Sequence, residues 1–331
     1  MNINRIGEFG LINLLAQNTI FDPTTVAVGI GDDAAALLPS PGKIQLVTTD
    51  MLVETVHFDL ITTTACQLGH KAIAVNLSDI AAMGGTPQHV LVSIALPKKT
   101  ETAFVLELYE GMKKICREFK VNIVGGDTVK SPDRLVINIT AMGEVNSSHL
   151  VKRSGAKPGD VVAITGTLGN SAAGLEILTA GLTERFSFSK TLTDAHLVPM
   201  PQVSLGISLA AAGATSMDDV SDGLANESHE IAAASQVGIE LYADKIPLSH
   251  ETILAAQHFN KSPLDYALYG GEDFQLLFTM PPDIFAKMLE AEAANIREIG
   301  RVLNKKQSVI LIYPDGSEEK IEPKGYNHFR E

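Results

Sequence analysis

Only two of the 331 residues are cysteines, Cys66 and Cys116, and the sequence contains no Cys-x-x-Cys pair. Both cysteines fall in apolar, helix-like stretches, so we expect reduced core residues rather than a disulfide framework or a zinc site. Long apolar segments are also missing, because residues 205–214, the most apolar stretch, are too few to cross a bilayer. The N-terminus has no positively charged leader followed by an apolar core. These absences predict a cytoplasmic protein without a membrane partner.

Basic residues are in the minority, with 26 Lys and Arg against 39 Asp and Glu and a net charge of -13. This balance argues against a nucleic-acid partner, which would need a basic face. The sequence has no Walker loop and no Gly-rich loop with the catalytic segment of protein kinases. Gly29-Ile30-Gly31 lacks the third glycine of a dinucleotide-binding turn. If the chain uses a nucleotide, it does so on a different scaffold.

The length and the hydrophobic content of 45% predict about two folded domains with real cores. Strand patterns alternate with helix patterns along the chain, which indicates the α/β class. A polar, turn-rich stretch runs from Ser147 to Gly159. We therefore predict domains at residues 1–149 and 150–331.

Two predicted elements carry acids on defined faces. Residues 43–50 have a strand pattern in which Thr48 and Asp50 share one face. Residues 64–83 have a helix pattern, and Asp79 lies inside this otherwise apolar stretch. A buried acid costs stability unless it is paired or liganded, so a hydrogen bond, an ion pair and a ligand role are all open for Asp79.

Other predicted elements flank further acidic turns. A strand at residues 121–124 should end at Gly125-Gly126, and a strand at residues 215–220 leads to Ser221, which could cap the next helix. We also predict a helix at residues 282–294 and a hairpin that begins with residues 309–313.

The stretch Val28-Gly29-Ile30-Gly31-Asp32-Asp33-Ala34 places two acids side by side. Like charges about 4 Å apart repel by roughly 1 kcal/mol in water and by about 4 kcal/mol at an effective dielectric near 20, so a cation is expected there. Similar acids recur at strand ends and on a helix face, namely Asp50, Asp79, Asp127, Asp218, Asp219 and Asp222. Carboxylates suit a hard cation, Mg²⁺ above all when a phosphate supplies further oxygens. Each acidic turn alone is weak evidence, because Asp and Gly favour turns for backbone reasons.

The combined motifs resemble the thiamine-monophosphate kinase family, in its order and over essentially the whole chain. The matching segments are Gly29-Ile30-Gly31-Asp32-Asp33, Thr48-Thr49-Asp50, His57-Phe58, residues 71–79, Gly125-Gly126-Asp127-Thr128, residues 153–160, Val220-Ser221-Asp222-Gly223-Leu224, Gly270-Gly271-Glu272-Asp273 and Gly325-Tyr326.

The resemblance implies the two-domain fold of the aminoimidazole ribonucleotide synthetase superfamily, an α/β fold with mixed sheets of α+β character. It further implies a homodimer in which the N-terminal sheets pair, and an N-terminal domain that binds ATP and magnesium. The C-terminal domain would complete the substrate cleft. The implied reaction is Mg²⁺-dependent transfer of the ATP γ-phosphoryl group to thiamine monophosphate.

The resemblance also assigns roles residue by residue. The implied magnesium contacts are Asp33, Thr48, Thr49, Asp50, Asp79, Asp127, Asp219 and Asp222. The implied ATP contacts are Tyr109, Gly126, Arg153 and Ser221. The implied substrate contacts are His57, Glu272 and Tyr326. Because Asp218 and Asp219 are adjacent, either could be the ligand, whereas the family match selects Asp33 over Asp32.

No residue is assigned as a general base, because a phosphate monoester is mostly dianionic at pH 7 and already nucleophilic. Two alternatives remain open. The chain could be another ATP-dependent member of the superfamily, although a selenophosphate synthetase would carry a reactive cysteine near the N-terminal Gly-rich segment. It could also be a noncatalytic module that binds Mg²⁺ and a nucleotide.

Overall fold

The computed structural model describes residues 7–31, 34–292, 295–304 and 308–325. Contacts within the chain divide it into two units. Unit 1 consists of Met1–Ile80 and Gly85–Ser148, and unit 2 of Ala81–Gly84 and His149–Glu331. In the described ranges no helix is long and apolar enough to cross a membrane.

Unit 1 is built on one four-stranded sheet. Its helices are α1 (Gly7–Leu15), α2 (Ala65–Ala82, whose last two residues group with unit 2) and α3 (Thr102–Phe119). Its strands are β1 (Val26–Val28), β2 (Ala36–Leu37), β3 (Lys43–Val53), β4 (Thr86–Pro97), β5 (Asn122–Ser131) and β6 (Val136–Asn146). The sheet has the order β3-β6-β4-β5, in which only β4 and β5 are parallel, and β1 pairs separately with β2. The sheet is therefore mixed.

Strand β3 presents different side chains on its two faces. Leu46 and Leu52 are buried on the face that also carries Thr48 and Asp50, whereas Val47 on the other face is 67% exposed. Side chains alternate along a strand, which explains this division. The predicted common face of Thr48 and Asp50 is confirmed.

Helix α2 contacts the Asp50 face of β3. The Asp50 backbone N–H donates to the Asn76 side-chain oxygen at 3.1 Å, and the Thr48 hydroxyl donates to the Asp79 carboxylate. Ile73 is fully buried, as expected for a helix that is apolar almost all round. The predicted helix is confirmed, and Asp79 lies on the side of it that contacts β3.

The prediction that Gly125-Gly126 ends a strand is wrong, because β5 continues through both glycines. Gly126 has a φ of +150°, and a Cβ atom on it would lie 1.8 Å from the Val92 carbonyl oxygen. The β4–β5 register also shifts between Val90 and Leu91. Glycine here permits a close approach of two backbones at a bulge rather than terminating the strand.

Gly126→Ala should therefore destabilise unit 1 by about 2 kcal/mol or more, because the Cβ atom overlaps a carbonyl and the backbone is strained. Gly125→Ala is the matched control, since among the described residues its Cβ atom would meet only the Leu91 Cδ2 atom, at 3.0 Å. Urea unfolding monitored by circular dichroism measures both variants. Equal stability of the two would contradict the close-approach argument.

Unit 2 is built on a seven-stranded sheet. Its helices are α4 (Asn170–Thr179), α5 (Ser189–Leu197), α6 (Val203–Ala212), α7 (Leu224–Ser235), α8 (His250–Phe259), α9 (Pro263–Tyr269) and α10 (Pro282–Glu292). Its strands are β7 (Val161–Thr165), β8 (Ser216–Asp219), β9 (Gly238–Tyr242), β10 (Leu276–Met280), β11 (Ile296–Leu303), β12 (Val309–Ile312) and β13 (Glu318–Lys320). The order is β13-β12-β9-β11-β7-β10-β8, and only the β12–β9 pair is parallel.

The central strands of this sheet hold the core of unit 2. Every residue of β7, β8 and β10 is buried, including the adjacent acids at the end of β8. Both faces of these strands are therefore covered, which explains their lack of a simple polar and apolar alternation. The predicted β12–β13 hairpin is confirmed.

The start of α7 and the end of α10 bear on two predictions for unit 2. Ser221 does not cap the following helix, because α7 begins at Leu224 and its N-cap is Gly223, which makes no side-chain cap bond. Gly223 has a φ of +108°, so the chain turns once more before the helix begins. The predicted helix at residues 282–294 is observed to Glu292, and its last two residues lie outside the described ranges.

Candidate functional site

Four polar side chains at the contact between β3 and α2 form one cluster of possible oxygen ligands in unit 1. Thr48 and Asp50 come from β3, and Asn76 and Asp79 come from successive turns of α2. Burial, followed by the charge of Asp79, raises the pKa of Asp50 to about 6. Two half-buried carboxylates that repel each other favour a bound cation, and the hard oxygen donors fit Mg²⁺.

Within the described ranges, no three His, Cys, Asp or Glu residues come together as a complete metal site. Asp33, the predicted ligand from the opening stretch, lies outside those ranges, as does Asp32. The observed cluster therefore contains the side-chain oxygens of Thr48, Asp50, Asn76 and Asp79. Asn76 also donates to the Ala72 carbonyl at 3.1 Å, which fixes its amide orientation.

Asp127 lies on the opposite face of the same sheet. Register pairs connect Met51 to Asn138, Asn138 to Ser93 and Ser93 to Asp127. Paired residues point to the same face of a sheet, so Asp127 shares the face of Met51 and not that of Asp50. The structure thus separates Asp127 from the Asp50 cluster within unit 1. The Asp127 side chain is exposed, and its Oδ1 atom accepts the Thr128 backbone N–H at 2.8 Å.

Thr49 also points away from the Asp50 cluster. Its hydroxyl donates to the Ile139 carbonyl at 2.9 Å and accepts from the Asn138 amide at 3.0 Å. A contact of Thr49 with a metal on the Asp50 face would therefore use its backbone oxygen. Gly126 lies next to Asp127 at the close β4–β5 contact described above.

His57 and Tyr109 have different environments. The His57 Nδ1 atom accepts the Val53 backbone N–H at 3.0 Å, so the neutral ring carries its proton on Nε2. This tautomer places a hydrogen-bond donor at the far edge of the ring. Tyr109 is 6% exposed in α3, and burial raises the pKa of its hydroxyl. Tyr109 thus belongs to the core of unit 1 in a single chain.

In unit 2, the ion pairs of Arg153 distinguish the two adjacent acids of β8. Arg153 Nε lies 2.9 Å from the Asp218 carboxylate, and Arg153 Nη1 lies 2.6 Å from Glu230 Oε2. Burial nevertheless raises the pKa of Asp218 to about 7, although the ion pair acts to lower it. Asp219 points to the other face of β8, because neighbouring residues alternate. Asp218 is therefore committed to Arg153, which favours Asp219 as the ligand.

The turn after β8 is held by Glu227 from the first part of α7. Glu227 Oε1 accepts the Asp222 backbone N–H at 3.0 Å. Glu227 is 2% exposed, and burial raises the pKa of its carboxyl well above the usual value. In the described part of the chain, its Oε2 atom has no hydrogen-bond partner. An additional buried acid thus lies behind the turn that carries Ser221 and Asp222.

The segment around Glu272 is strained and tightly held. Glu272 and Phe274 both have positive φ, 65° and 50°. Their backbone N–H groups donate to the carbonyls of Ser221 at 2.7 Å and Val220 at 2.9 Å. Positive φ in residues other than glycine concentrates at functional sites. The segment therefore joins the Ser221 turn through its backbone and leaves the Glu272 side chain to a separate partner.

Comparisons with known proteins agree with this architecture. Residues 31–145 match the family described as AIR synthase related protein, N-terminal domain, and residues 157–312 match the corresponding C-terminal domain. The thiamine-monophosphate kinase of Bacillus subtilis (strain 168) is 40% identical over 329 residues, which is 98% of this chain and 99% of that protein. The chain belongs to the thiamine-monophosphate kinase family.

Solved structures of this family share the fold. The thiamine-monophosphate kinase of Stenotrophomonas maltophilia K279a is 32% identical, with a TM-score of 0.82 over 94% of this chain and 97% of that one. AaThiL complexed with AMPPCP and TMP is 38% identical, with a TM-score of 0.80 over 99% of both chains. The expected mixed α/β fold of the superfamily is thus confirmed. A hydrogenase maturation protein HypE, at 22% identity and a TM-score of 0.72, shares the fold alone.

Of the family's motif residues, Tyr326 lies outside the described ranges. Glu227 and His196, a buried residue of α5, are not among the site residues that the sequence pattern predicts. Glu227 could have been noticed as an acid just inside a helix that follows an acidic turn. His196 contacts residues 25 and 76 positions away, Ser171 and Glu272, so no local pattern could reveal it.

Asp273 caps helix α4 and provides a test of the site by pH. Its carboxylate accepts the backbone N–H groups of Gly169 at 2.6 Å and Ser171 at 3.0 Å, as anions do at helix N-termini. Burial still raises its pKa from 3.8 to about 7. The folded protein thus binds this proton more tightly than the unfolded chain does. The stabilising contribution is complete below about pH 4 and is lost as the pH rises towards about 7.

Asp273→Asn should flatten this dependence, although loss of one acceptor oxygen lowers its stability at every pH. Each pKa unit corresponds to about 1.4 kcal/mol, so the wild-type protein should lose a few kcal/mol relative to the variant between pH 4 and pH 8. Denaturant unfolding across this range measures the difference. Parallel profiles for the two proteins would show that Asp273 titrates normally.

Proposed function

We propose that this chain transfers the γ-phosphoryl group of ATP to thiamine monophosphate, which yields thiamine diphosphate and ADP. The observation that carries the proposal is full-length similarity, at 38% identity and a TM-score of 0.80, to AaThiL complexed with AMPPCP and TMP. AMPPCP is an analogue of ATP, and TMP in this family denotes thiamine monophosphate. The cluster of Thr48, Asp50, Asn76 and Asp79 supports the same conclusion, because it presents oxygen donors for a cation.

The proposed metal contacts are carried by both units. Those of unit 1 are Asp33, Thr48, Thr49, Asp50, Asp79 and Asp127, and those of unit 2 are Asp219 and Asp222. Mg²⁺ ions held by such contacts would neutralise the charge of the ATP phosphates, which carboxylates alone would repel. The chain's own contribution is to hold these oxygens in fixed positions, as the Asp50–Asn76 and Thr48–Asp79 hydrogen bonds do.

The proposed ATP contacts are Tyr109, Gly126, Arg153 and Ser221, and the proposed substrate contacts are His57, Glu272 and Tyr326. Arg153 uses Nε for Asp218 and Nη1 for Glu230, which fixes its planar guanidinium, so a phosphate would be met by the Nη2 group. The His57 ring suits the phosphate of the substrate, since its neutral tautomer carries a donor on Nε2.

No general base is required in this reaction. An oxygen of the substrate's dianionic phosphate attacks the γ-phosphorus, and the bond from the γ-phosphorus to the β,γ-bridging oxygen breaks. The electron pair of that bond leaves with ADP. No proton has to be removed from the nucleophile, because the attacking phosphate oxygen is already deprotonated. Catalysis then consists of positioning and electrostatic stabilisation.

Asp50→Asn should lower kcat by about 100-fold, because a neutral amide is a poorer metal contact than a carboxylate. Its thermal stability without Mg²⁺ should be unchanged or higher, since repulsion between Asp50 and Asp79 is removed. ADP release with thiamine monophosphate, thiamine or no acceptor measures activity, and calorimetry measures stability. The matched control is Asp315→Asn, an exposed acid whose Oδ1 accepts the Ser317 N–H at 2.9 Å in the β12–β13 turn.

Three results would refute parts of this proposal. Near-normal activity of Asp50→Asn at excess Mg²⁺ would contradict the metal assignment. ADP release with thiamine but not with thiamine monophosphate would identify a different acceptor. Mg²⁺-dependent ATP binding without ADP release under any condition would support a noncatalytic module.

We also propose that the chain forms a homodimer through the open face of the unit 1 sheet. Val47 and Met51 on β3 are 67% and 54% exposed, and Val129 on β5 is 49% exposed. Register pairs place all three on the same face. Exposed apolar surface of this kind is typical of an interaction site.

Val47→Asp should therefore convert a dimer to a monomer, because a buried, unpaired carboxylate is costly at an apolar interface. Ile61→Asp is the matched control, since Ile61 is 91% exposed and lies in a turn after β3, outside the strands of the sheet. Sedimentation velocity at several protein concentrations measures the mass. Wild-type protein that stays monomeric, or equal effects of the two substitutions, would contradict an interface on this face.

A further inference from the structure

His196 of α5 provides the partner of the Glu272 side chain. Its Nδ1 atom lies 3.2 Å from Glu272 Oε2 and 3.0 Å from Ser171 Oγ. His196 is 5% exposed and Ser171 is fully buried, whereas the Glu272 side chain is 27% exposed, so water is excluded from the histidine side of the contact. Neither the family motifs nor the comparisons assign a role to His196.

The backbone around Glu272 is already fixed by other contacts. Its N–H donates to the Ser221 carbonyl at 2.7 Å, and its neighbour Asp273 accepts the N–H groups of Gly169 and Ser171. Ser171 therefore binds this segment twice, through its backbone N–H to Asp273 and through its hydroxyl to His196. With the backbone fixed, the rotamer of Glu272 depends on its side-chain contacts.

The chemistry of the two groups defines what the contact does. An ionised carboxylate can only accept hydrogen bonds, so a hydrogen bond from His196 to Glu272 requires the proton on Nδ1, where the Ser171 hydroxyl oxygen is a second acceptor. A hydrogen bond to an ionised carboxylate is stronger than one between neutral groups, and the burial of the His196 ring limits competition from water for this donor. Imidazole is also rigid, whereas a glutamate side chain has several rotamers. His196 thus restricts Glu272 to one orientation.

We propose that His196 is a positioning residue that orients Glu272 towards the thiamine part of the substrate. The inference rests on the proposed function, in which Glu272 contacts thiamine monophosphate. A carboxylate would repel the substrate's phosphate, so the group that it meets is the cationic thiazolium ring or the amino group of the pyrimidine. ATP offers no cation at this position, and its binding does not depend on the His196–Glu272 contact.

Steady-state kinetics of four variants test this role. His196→Ala should raise the KM for thiamine monophosphate about tenfold and leave the KM for ATP unchanged. His196→Asn should stay within about threefold of the wild-type enzyme, because its amide N–H can replace Nδ1–H. Glu272→Ala should have the same selective effect. In the double variant the second substitution should add less than about twofold, since coupled residues are not additive.

His258→Ala is the matched control, because His258 is an exposed histidine of the same unit that contacts the rings of Phe186 and Phe259. It should leave both KM values unchanged. Equal rises in both KM values for His196→Ala, failure of His196→Asn to restore the KM, or multiplicative effects in the double variant would overturn the inference. Wild-type enzyme that releases no ADP with thiamine monophosphate would instead refute the proposed function.

Discussion

The burial of carboxylates is the constraint on which the candidate site residues of both units depend. An ionised acid removed from water is costly unless a cation, a set of hydrogen-bond donors or a proton compensates it. Asp218 is compensated by Arg153, and Asp273 by two backbone N–H groups at the start of α4. Asp50 has a backbone contact to Asn76 but an acid, Asp79, as its charged neighbour. An external cation would therefore neutralise the repulsion between the Asp50 and Asp79 carboxylates.

The alternation of side chains along strands then places these acids on different faces, where they meet different partners. On β8 it sends Asp218 to Arg153 and Asp219 to the other face. On the unit 1 sheet it places Asp50 against α2 and Asp127 on the open apolar face. A metal contact by Asp127 would therefore lie on the face that the proposed dimer covers, on the other side of the sheet from the Asp50 cluster. A bound cation would offset the cost of burying the Asp127 carboxylate there.

Much of the fold could be predicted because its signals are local. The strand that carries Thr48 and Asp50, helix α2 and the final hairpin all follow from periodicity and turn residues. The break expected at Gly126 failed because glycine also allows close backbone contact, a property of the β4 neighbour and not of β5 itself. The cap expected from Ser221 failed because Gly223 adds a turn before α7 begins.

The site was predictable only as a set of residue types, because the contacts that give each residue its environment are distant in sequence. Thr48 and Asp79 are 31 positions apart in the sequence, and Arg153 and Asp218 are 65 positions apart. Helix and strand periodicity relates only residues a few positions apart, so it cannot reveal these contacts. The strained Glu272 segment illustrates the physical reason. Its positive φ values cost free energy, and they persist only because Val220, Ser221 and the start of α4 all bind the segment. Such strain is useful when it directs a side chain, here that of Glu272, where an unstrained turn would not. The orientation of the Glu272 carboxylate then depends on its contact with His196 as well as on the backbone.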